Sequence, residues 1–228
     1  MSEARNTLSK GPDMNVTTTS IATLNPVWRD VLAQSYRALA NVVAGVGADQ
    51  WQLPTPCSEW TVTQVVQHAA GDQLAYAAAL GIGTGPDYNP FAPSGAIDGS
   101  PSALVEVAIE QTAAAWATVA DDTENVPTPL PHGALPTSVA AVMCALDAAV
   151  HAWDIAIGTG QASPLTEELA GYLLTAARTG HPAPGSGQEA EIVEPLRQWG
   201  AYAEIVDGAP GDSAVAELLH YLGRVPRA

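Results

Sequence analysis

An apolar run over residues 139–157 constrains this chain more than any other stretch. Within it Val139, Val142, Met143, Leu146, Val150, Trp153 and Ile157 recur at three- and four-residue intervals, the rhythm of a helix that buries one face. A second stripe lies beside the first and carries Ala140, Cys144, Asp147, His151 and Asp154. Asp147 and His151 are four residues apart, so their side chains project the same way, one turn above the other. A carboxylate and an imidazole stacked on the wall of a core suit a metal site or an acid/base pair. The same spacing also serves a plain hydrogen-bonded pair on a solvated helix face. Two ligands do not make a site, and the spacing alone leaves all three readings open.

The rest of the sequence favours helices around that run. Hydrophobic residues make up 47% of 228, enough for a sizeable core, and Ala, Leu and Val dominate them against a single Phe. That balance suits close-packed helices better than a sheet. Eight Lys and Arg oppose 24 Asp and Glu, a formal net charge of −16. Nucleic acid and anionic membranes would repel such a surface, so neither is expected as a partner. Cys57 and Cys144 stand 87 positions apart, with no disulfide framework or zinc-knuckle spacing. No apolar signal core opens the chain and no long apolar run is free of polar groups. A soluble, cytoplasmic protein acting on a small molecule is the expectation.

Taken in order, residues 1–24 are polar and read as a disordered leader. Asn25-Pro26 should cap and open the first helix. After a connection holding Pro54 and Pro56, Thr61-Val-Thr-Gln64 fits a capping box and opens the second. His68 lies at the border of that helix's buried stripe, with Asp72 one turn on. Residues 81–99 are dense in Gly, Pro, Asn and Asp and should form a loop pinned by Tyr88 and Phe91. Ser100-Pro101 opens a third helix to about Ala120, and four prolines make residues 121–136 irregular or a short hairpin. The central helix should end near Gly158-Thr-Gly160, and a fifth helix should run from Ser163-Pro164 to Gly180. Beyond it a short helix at 192–199, a strand at 203–206 and a last amphipathic helix at 213–222 are expected. The architecture is all-α: a helical bundle over residues 25–180, with a partly irregular extension over 181–228.

Several pieces now combine. Thr55-Pro-Cys-Ser-Glu-Trp-Thr-Val62 leads into His68, and Asp147-Ala-Ala-Val-His-Ala-Trp-Asp-Ile-Ala156 is followed by Gly158-Thr-Gly-Gln161. The chain closes with His220-Tyr-Leu-Gly-Arg224. This arrangement resembles the actinobacterial DinB-like proteins related to mycothiol-dependent maleylpyruvate isomerase, across most of residues 26–225. The resemblance implies a four-helix bundle with a divalent metal held between helices by His68, Asp147 and His151. Three protein ligands leave a position for water or substrate, as in catalytic zinc sites. Zinc is the first choice. Two His and one carboxylate also describe the non-haem iron triad, and nickel and manganese stay open. In the resembled family the metal is thought to hold the sulfur of a low-molecular-weight thiol, usually mycothiol, in ionised form for attack on carbon. Asp154 and Asp72 are candidates to orient the ligating imidazoles, because such rings usually donate their second N–H to a carboxylate or carbonyl. Cys57, Cys144, Trp60 and Trp153 read as packing residues, and His132, His181 and His220 receive no ligand role.

Two departures separate the chain from the isomerase itself. That enzyme carries a substantial C-terminal domain that helps bind substrate, whereas about 48 residues follow Gly180 here. A dicarboxylate also wants Arg or Lys, for which Arg178, Arg197 and Arg224 are the candidates. The expectation is therefore a metal-dependent thiol transferase or isomerase acting on another small electrophile. The alternatives are a metal-dependent hydrolase, isomerase or cyclase of specialised metabolism that uses no thiol, and a non-catalytic binding bundle. No catalytic residue beyond the ligands is assigned.

Overall fold

A computed structural model of the chain describes residues 14–57, 59–131, 133–182 and 189–226. Four helices make the bundle: α2 (Trp28–Ala44), α3 (Val62–Ala79), α4 (Pro101–Trp116) and α5 (Thr137–Thr159). Each packs against two of the others, in the cyclic order α2, α5, α3, α4. Around this ring lie α1 (Met14–Leu24), α6 (Glu167–Ala177), α7 (Val193–Trp199) and α8 (Ala214–Tyr221). One small antiparallel pair, β1 (Gly180–Pro182) with β2 (Glu189–Glu191), precedes α7. The all-α architecture expected from the sequence is the one observed.

Local chemistry starts three of these helices where the sequence places them. The Thr61 side chain accepts from the Gln64 N–H while the Gln64 side chain returns to the Thr61 N–H, a complete capping box. Ser100 caps α4 with Pro101 in the first turn, and Ser213 caps α8. The strongest organiser is α5. Twenty of its 23 residues are buried, including Val139, Leu146 and Trp153 on one side and Cys144, His151 and Asp154 on the other. The helix is long and apolar enough to cross a membrane, but its neighbours bury it almost entirely, and that enclosure accounts for its apolarity. Gly160, with φ 72°, ends it in the left-handed region.

The structure corrects four expectations. Residues 1–13 lie outside the described residues, but the supposed leader is helical from Met14. A helix of 11 residues is too short to hold by itself in water. Ile21 and Leu24 anchor it on the core, Leu24 with no exposed surface, worth about 2 kcal/mol of apolar burial. Second, Asn25 and Pro26 do not open α2. They form the turn that ends α1, with the Asn25 N–H on the Ile21 carbonyl, and α2 begins at Trp28 without a side-chain cap. Third, α6 starts three residues after Pro164, where Thr166 accepts from the Leu169 N–H at 3.2 Å ahead of Glu167 and Glu168; it ends at Ala177, before Gly180. Fourth, residues 203–206 form no strand; the Ala203 carbonyl accepts from Arg197 and the Val206 N–H donates to the His220 carbonyl. Residues 121–136 do contain the short antiparallel contact foreseen, one bridge between Val126 and Leu135.

Two glycines let loops close on the bundle where the site is. A Cβ at Gly158 on α5 would lie 3.0 Å from the Pro54 carbonyl, so only glycine lets the Pro54–Thr55 backbone come so near. A Cβ at Gly71 on α3 would meet Pro90 at 2.8 Å and Tyr88 at 3.0 Å. The 81–99 loop thereby rests directly on α3, where the Tyr88 hydroxyl donates to the Gln67 carbonyl at 2.7 Å.

Candidate metal centre

The three residues singled out together in the sequence, His68, Asp147 and His151, meet between α3 and α5. One ligand atom from each lies within 4.8 Å of the others. Asp147 Oδ1 is 3.2 Å from His68 Nε2 and 3.4 Å from His151 Nε2. All three side chains are nearly buried, with 7, 13 and 9% of their surface exposed for His68, Asp147 and His151.

The far side of each imidazole fixes which nitrogen is available. His68 Nδ1 lies 2.8 Å from the Pro90 carbonyl oxygen. A carbonyl can only accept, so Nδ1 carries the hydrogen and the neutral ring offers the lone pair of Nε2. His151 Nδ1 lies 3.0 Å from Asp154 Oδ2, and the same reasoning leaves its Nε2 free to ligate. Asp154 has no exposed surface and is gripped in turn by Arg224, whose Nη2 donates to Oδ2 at 2.8 Å and Nε to Oδ1 at 3.0 Å. Both imidazoles therefore turn Nε2 toward one carboxylate oxygen, Asp147 Oδ1. The second oxygen of that carboxylate, Asp147 Oδ2, is buried with no hydrogen-bond partner. An orphaned anionic oxygen in an interior is costly, and a divalent cation among these donors would remove the cost. The donor set fits a metal.

Charge acts in the same direction. Burial opposes ionisation of Asp147, but the His151 and His68 rings outweigh it and hold the carboxyl below the usual range. Burial likewise opposes a charged His151, yet Asp147 and Asp154 raise it to about 9 in the metal-free protein. A cation at Nε2 would have to displace that proton. Asp154 is held low by Arg224 and then His151, against the effect of burial.

The remaining candidates sort clearly. Asp154 contacts an imidazole as an orienting group would, whereas Asp72 does not. The partner of His68 is a backbone carbonyl instead, and burial first, then Asp147, pushes the Asp72 carboxyl up. Cys57 is half-buried and lifted to about 11 by burial and then Asp154, an inert thiol. Cys144 is buried, and its Sγ faces Gln73 Oε1 at 3.1 Å and the Tyr36 hydroxyl at 3.8 Å. Both cysteines remain packing residues. Trp153 is core, 2% exposed. Trp60 is more than that: its ring lies 4.7 Å from His68 and 6.4 Å from His151. Thr55 sets it there by donating to the Trp60 carbonyl at 2.9 Å, which closes the loop of the Thr-Pro-Cys motif.

Two of the three arginines, Arg197 and Arg224, are committed within the protein. Arg178 is exposed, pairs with Glu217 at 3.7 Å and lies over Tyr221. Arg197 donates to the Tyr221 carbonyl at 2.8 Å and to that of Ala203. Arg224 belongs to Asp154. His220 pairs with Asp212 at 3.1 Å, His181 sits in β1, and His132 lies outside the described residues. Sequence reasoning missed the Pro90 carbonyl and the Asp154–Arg224 pair. Only the second had a signal, a cation in the closing motif across from an acid beside a ligand.

The same stretch of chain is similar to known proteins. The family model described as the mycothiol maleylpyruvate isomerase N-terminal domain matches residues 32–156, which contain all three candidate ligands. Two uncharacterized proteins of Mycobacterium tuberculosis, from strains CDC 1551/Oshkosh and H37Rv, are each 37% identical over 146 residues, 62% of this chain and 72% of theirs. No solved structure matches. With more than half of its length under that model, the chain belongs to the mycothiol maleylpyruvate isomerase N-terminal domain family.

Proposed function

We propose that the chain is a divalent-metal-dependent enzyme that activates a low-molecular-weight thiol for attack on a small electrophile, with His68, Asp147 and His151 holding the metal. One observation carries the metal assignment: both imidazoles are tied back at Nδ1, so both Nε2 atoms converge on a buried carboxylate with an unpartnered oxygen. Zinc is the cation the donor set suits first, with iron, nickel and manganese as substitutes to be separated by analysis. When bound, the metal would supply Lewis acidity that lowers the thiol's pKa, so that a nucleophile exists at neutral pH.

The chain's own residues do the rest. Pro90 and Asp154 fix the ring planes, and Trp60 closes one wall against water. Asp147 adds negative charge, which leaves a divalent centre with one residual positive charge rather than two. In transfer, the thiol sulfur forms a bond to the electrophilic carbon, the bond from that carbon to the leaving group breaks with the electron pair going to the leaving group, and the thiol proton passes to solvent. In isomerisation the same sulfur adds across a double bond, the carbon–carbon bond rotates and the sulfur departs. Mycothiol is the cosubstrate the family relationship suggests. Maleylpyruvate is a poor fit, because Arg197 and Arg224 are engaged within the protein, which leaves only the surface cation Arg178 of the three.

The test is turnover of 1-chloro-2,4-dinitrobenzene by zinc-loaded protein, with mycothiol, with 2-mercaptoethanol and with water alone. Thiol-dependent release of chloride, lost in His151→Ala, is the expected result. Release at the same rate without thiol would point to a hydrolytic enzyme, and metal uptake with no turnover of any electrophile to a binding bundle.

A further inference from the structure

An open cavity of about 560 Å³ lies between the end of α6, β2 and α8, and none of the proposed metal ligands lines it. Its volume is that of a small-molecule site. One wall is the 205–212 segment, which folds back over α8. The Val206 N–H donates to the His220 carbonyl at 3.0 Å and the Ala209 N–H to Asp212 Oδ2 at 2.9 Å. Glycine at position 208 permits this closure, because a Cβ there would lie 2.7 Å from Asp212 Oδ2 and 3.1 Å from His220 Nδ1. Ile205 and Val206 make that wall apolar, Ile205 with 54% of its surface exposed.

Three acids line the same cavity, and its two bases are committed to two of them. His220 pairs with Asp212 at 3.1 Å, and Arg178 faces Glu217 at 3.7 Å. The third acid, Glu191, receives the Tyr221 hydroxyl on Oε2 at 2.6 Å, and no Lys, Arg or His among the described residues pairs with it. A neutral phenol bonds a carboxylate without cancelling its charge. The aromatic floor already accepts a cation, for the Arg178 guanidinium lies 5.0 Å over the Tyr221 ring. A formal net charge of −16 draws further cations toward the surface.

We propose that this cavity binds a small aliphatic amine, with its ammonium on Glu191 and its hydrocarbon body against Ile205 and Val206. An ammonium brings both the hydrogen-bond donors and the positive charge that Glu191 lacks. A neutral alcohol could bond the same oxygen but would leave its charge uncompensated. A ligand carboxylate would meet three acids whose bases are already paired. The site rests on neither the metal nor the thiol reading.

The experiment titrates pentylamine, pentan-1-ol and pentanoate into the metal-free full chain by NMR, at about 0.15 M salt to screen distant surface charge. Wild type should bind pentylamine about tenfold more tightly than pentan-1-ol, the scale of one charge-assisted hydrogen bond, with pentanoate weakest. Glu191→Gln keeps an acceptor for Tyr221 and should cut the preference for the amine to about threefold or less. Glu106→Gln removes the same charge from the exposed face of α4 and should leave that preference unchanged. Ile205→Ser, at an exposed position, should weaken pentylamine by about threefold and leave methylamine unaffected. No preference for the amine in wild type overturns the site, as does an undiminished preference in Glu191→Gln or an unchanged pentylamine affinity in Ile205→Ser. An equal loss in Glu106→Gln also overturns it, because the attraction would then belong to the acidic surface as a whole.

Discussion

The two histidines of the candidate centre are held by regions built on different principles. His68 is oriented by a loop: the Pro90 carbonyl comes within 2.8 Å of Nδ1 because glycine at position 71 lets the 81–99 segment lie on α3. His151 is oriented by charge: Asp154 sits one turn along the same helix and is clamped by Arg224, 70 positions further on. The loop places a neutral dipole and stores no buried charge. The ion pair commits an acid without exposed surface and an arginine 8% exposed to each other. One ligand therefore depends on local backbone packing. The other depends on the docking of the C-terminal extension, so the two supports should fail in different ways.

The largest effect should follow Asp154→Ala. It strands the buried Arg224 guanidinium, a loss of about 3–5 kcal/mol for a broken buried pair, and it frees the His151 ring, which should weaken metal binding by about 10–100-fold. Denaturant melts with and without zinc separate the two contributions. A stability loss below about 1 kcal/mol would show that the pair is not buried in solution. Arg224→Met should rank second. It leaves Asp154 charged and facing only His151, so stability falls while metal affinity drops less than in Asp154→Ala. Identical metal affinities in the two variants would mean that Asp154 acts on His151 only through Arg224.

Gly71→Ala breaks the other support. The added methyl must push Pro90 and Tyr88 away, at about 1–3 kcal/mol for overpacking, and His68 loses its carbonyl while His151 keeps its own. Zinc affinity should fall by roughly tenfold without loss of the Asp154–Arg224 contact. Unchanged affinity would show that the loop does not orient His68.

The smallest effect is in pH. In the metal-free protein the folded-state pKa of His151 is raised from 6.5 to about 9. A raised imidazole pKa stabilises the fold fully below about pH 6.5 and loses that contribution as pH climbs through about 9. The melting temperature of the metal-free protein should therefore decline between pH 7 and 9.5. Zinc-loaded protein should decline less, because its Nε2 would carry the cation rather than a proton. Parallel curves would argue against His151 as a ligand.

Much of the bundle was legible because its signals are local. The caps at Thr61, Ser100 and Ser213 work within three residues, and α5 announces itself through the 139–157 periodicity even though burial extends to both its stripes. The meeting of His68 with Asp147 and His151 was foreseen from family resemblance rather than periodicity, since nothing in either helix alone says which neighbour it faces. Helix α1 escaped notice because two apolar residues, Ile21 and Leu24, do its anchoring in a polar stretch. The Pro90 carbonyl was invisible in principle: a backbone acceptor has no sequence identity. Arg224 was read as a possible anion binder because its partner lies in another helix.

Elemental analysis of the purified wild type beside His68→Ala and His151→Ala, with circular dichroism to check that each remains helical, decides whether these residues hold a metal. Wild type should carry about one equivalent of a divalent metal, whether as purified or after reconstitution, and neither variant should retain any. A wild type that takes up no zinc, iron, nickel or manganese would contradict it, as would a variant that binds metal as fully as the parent.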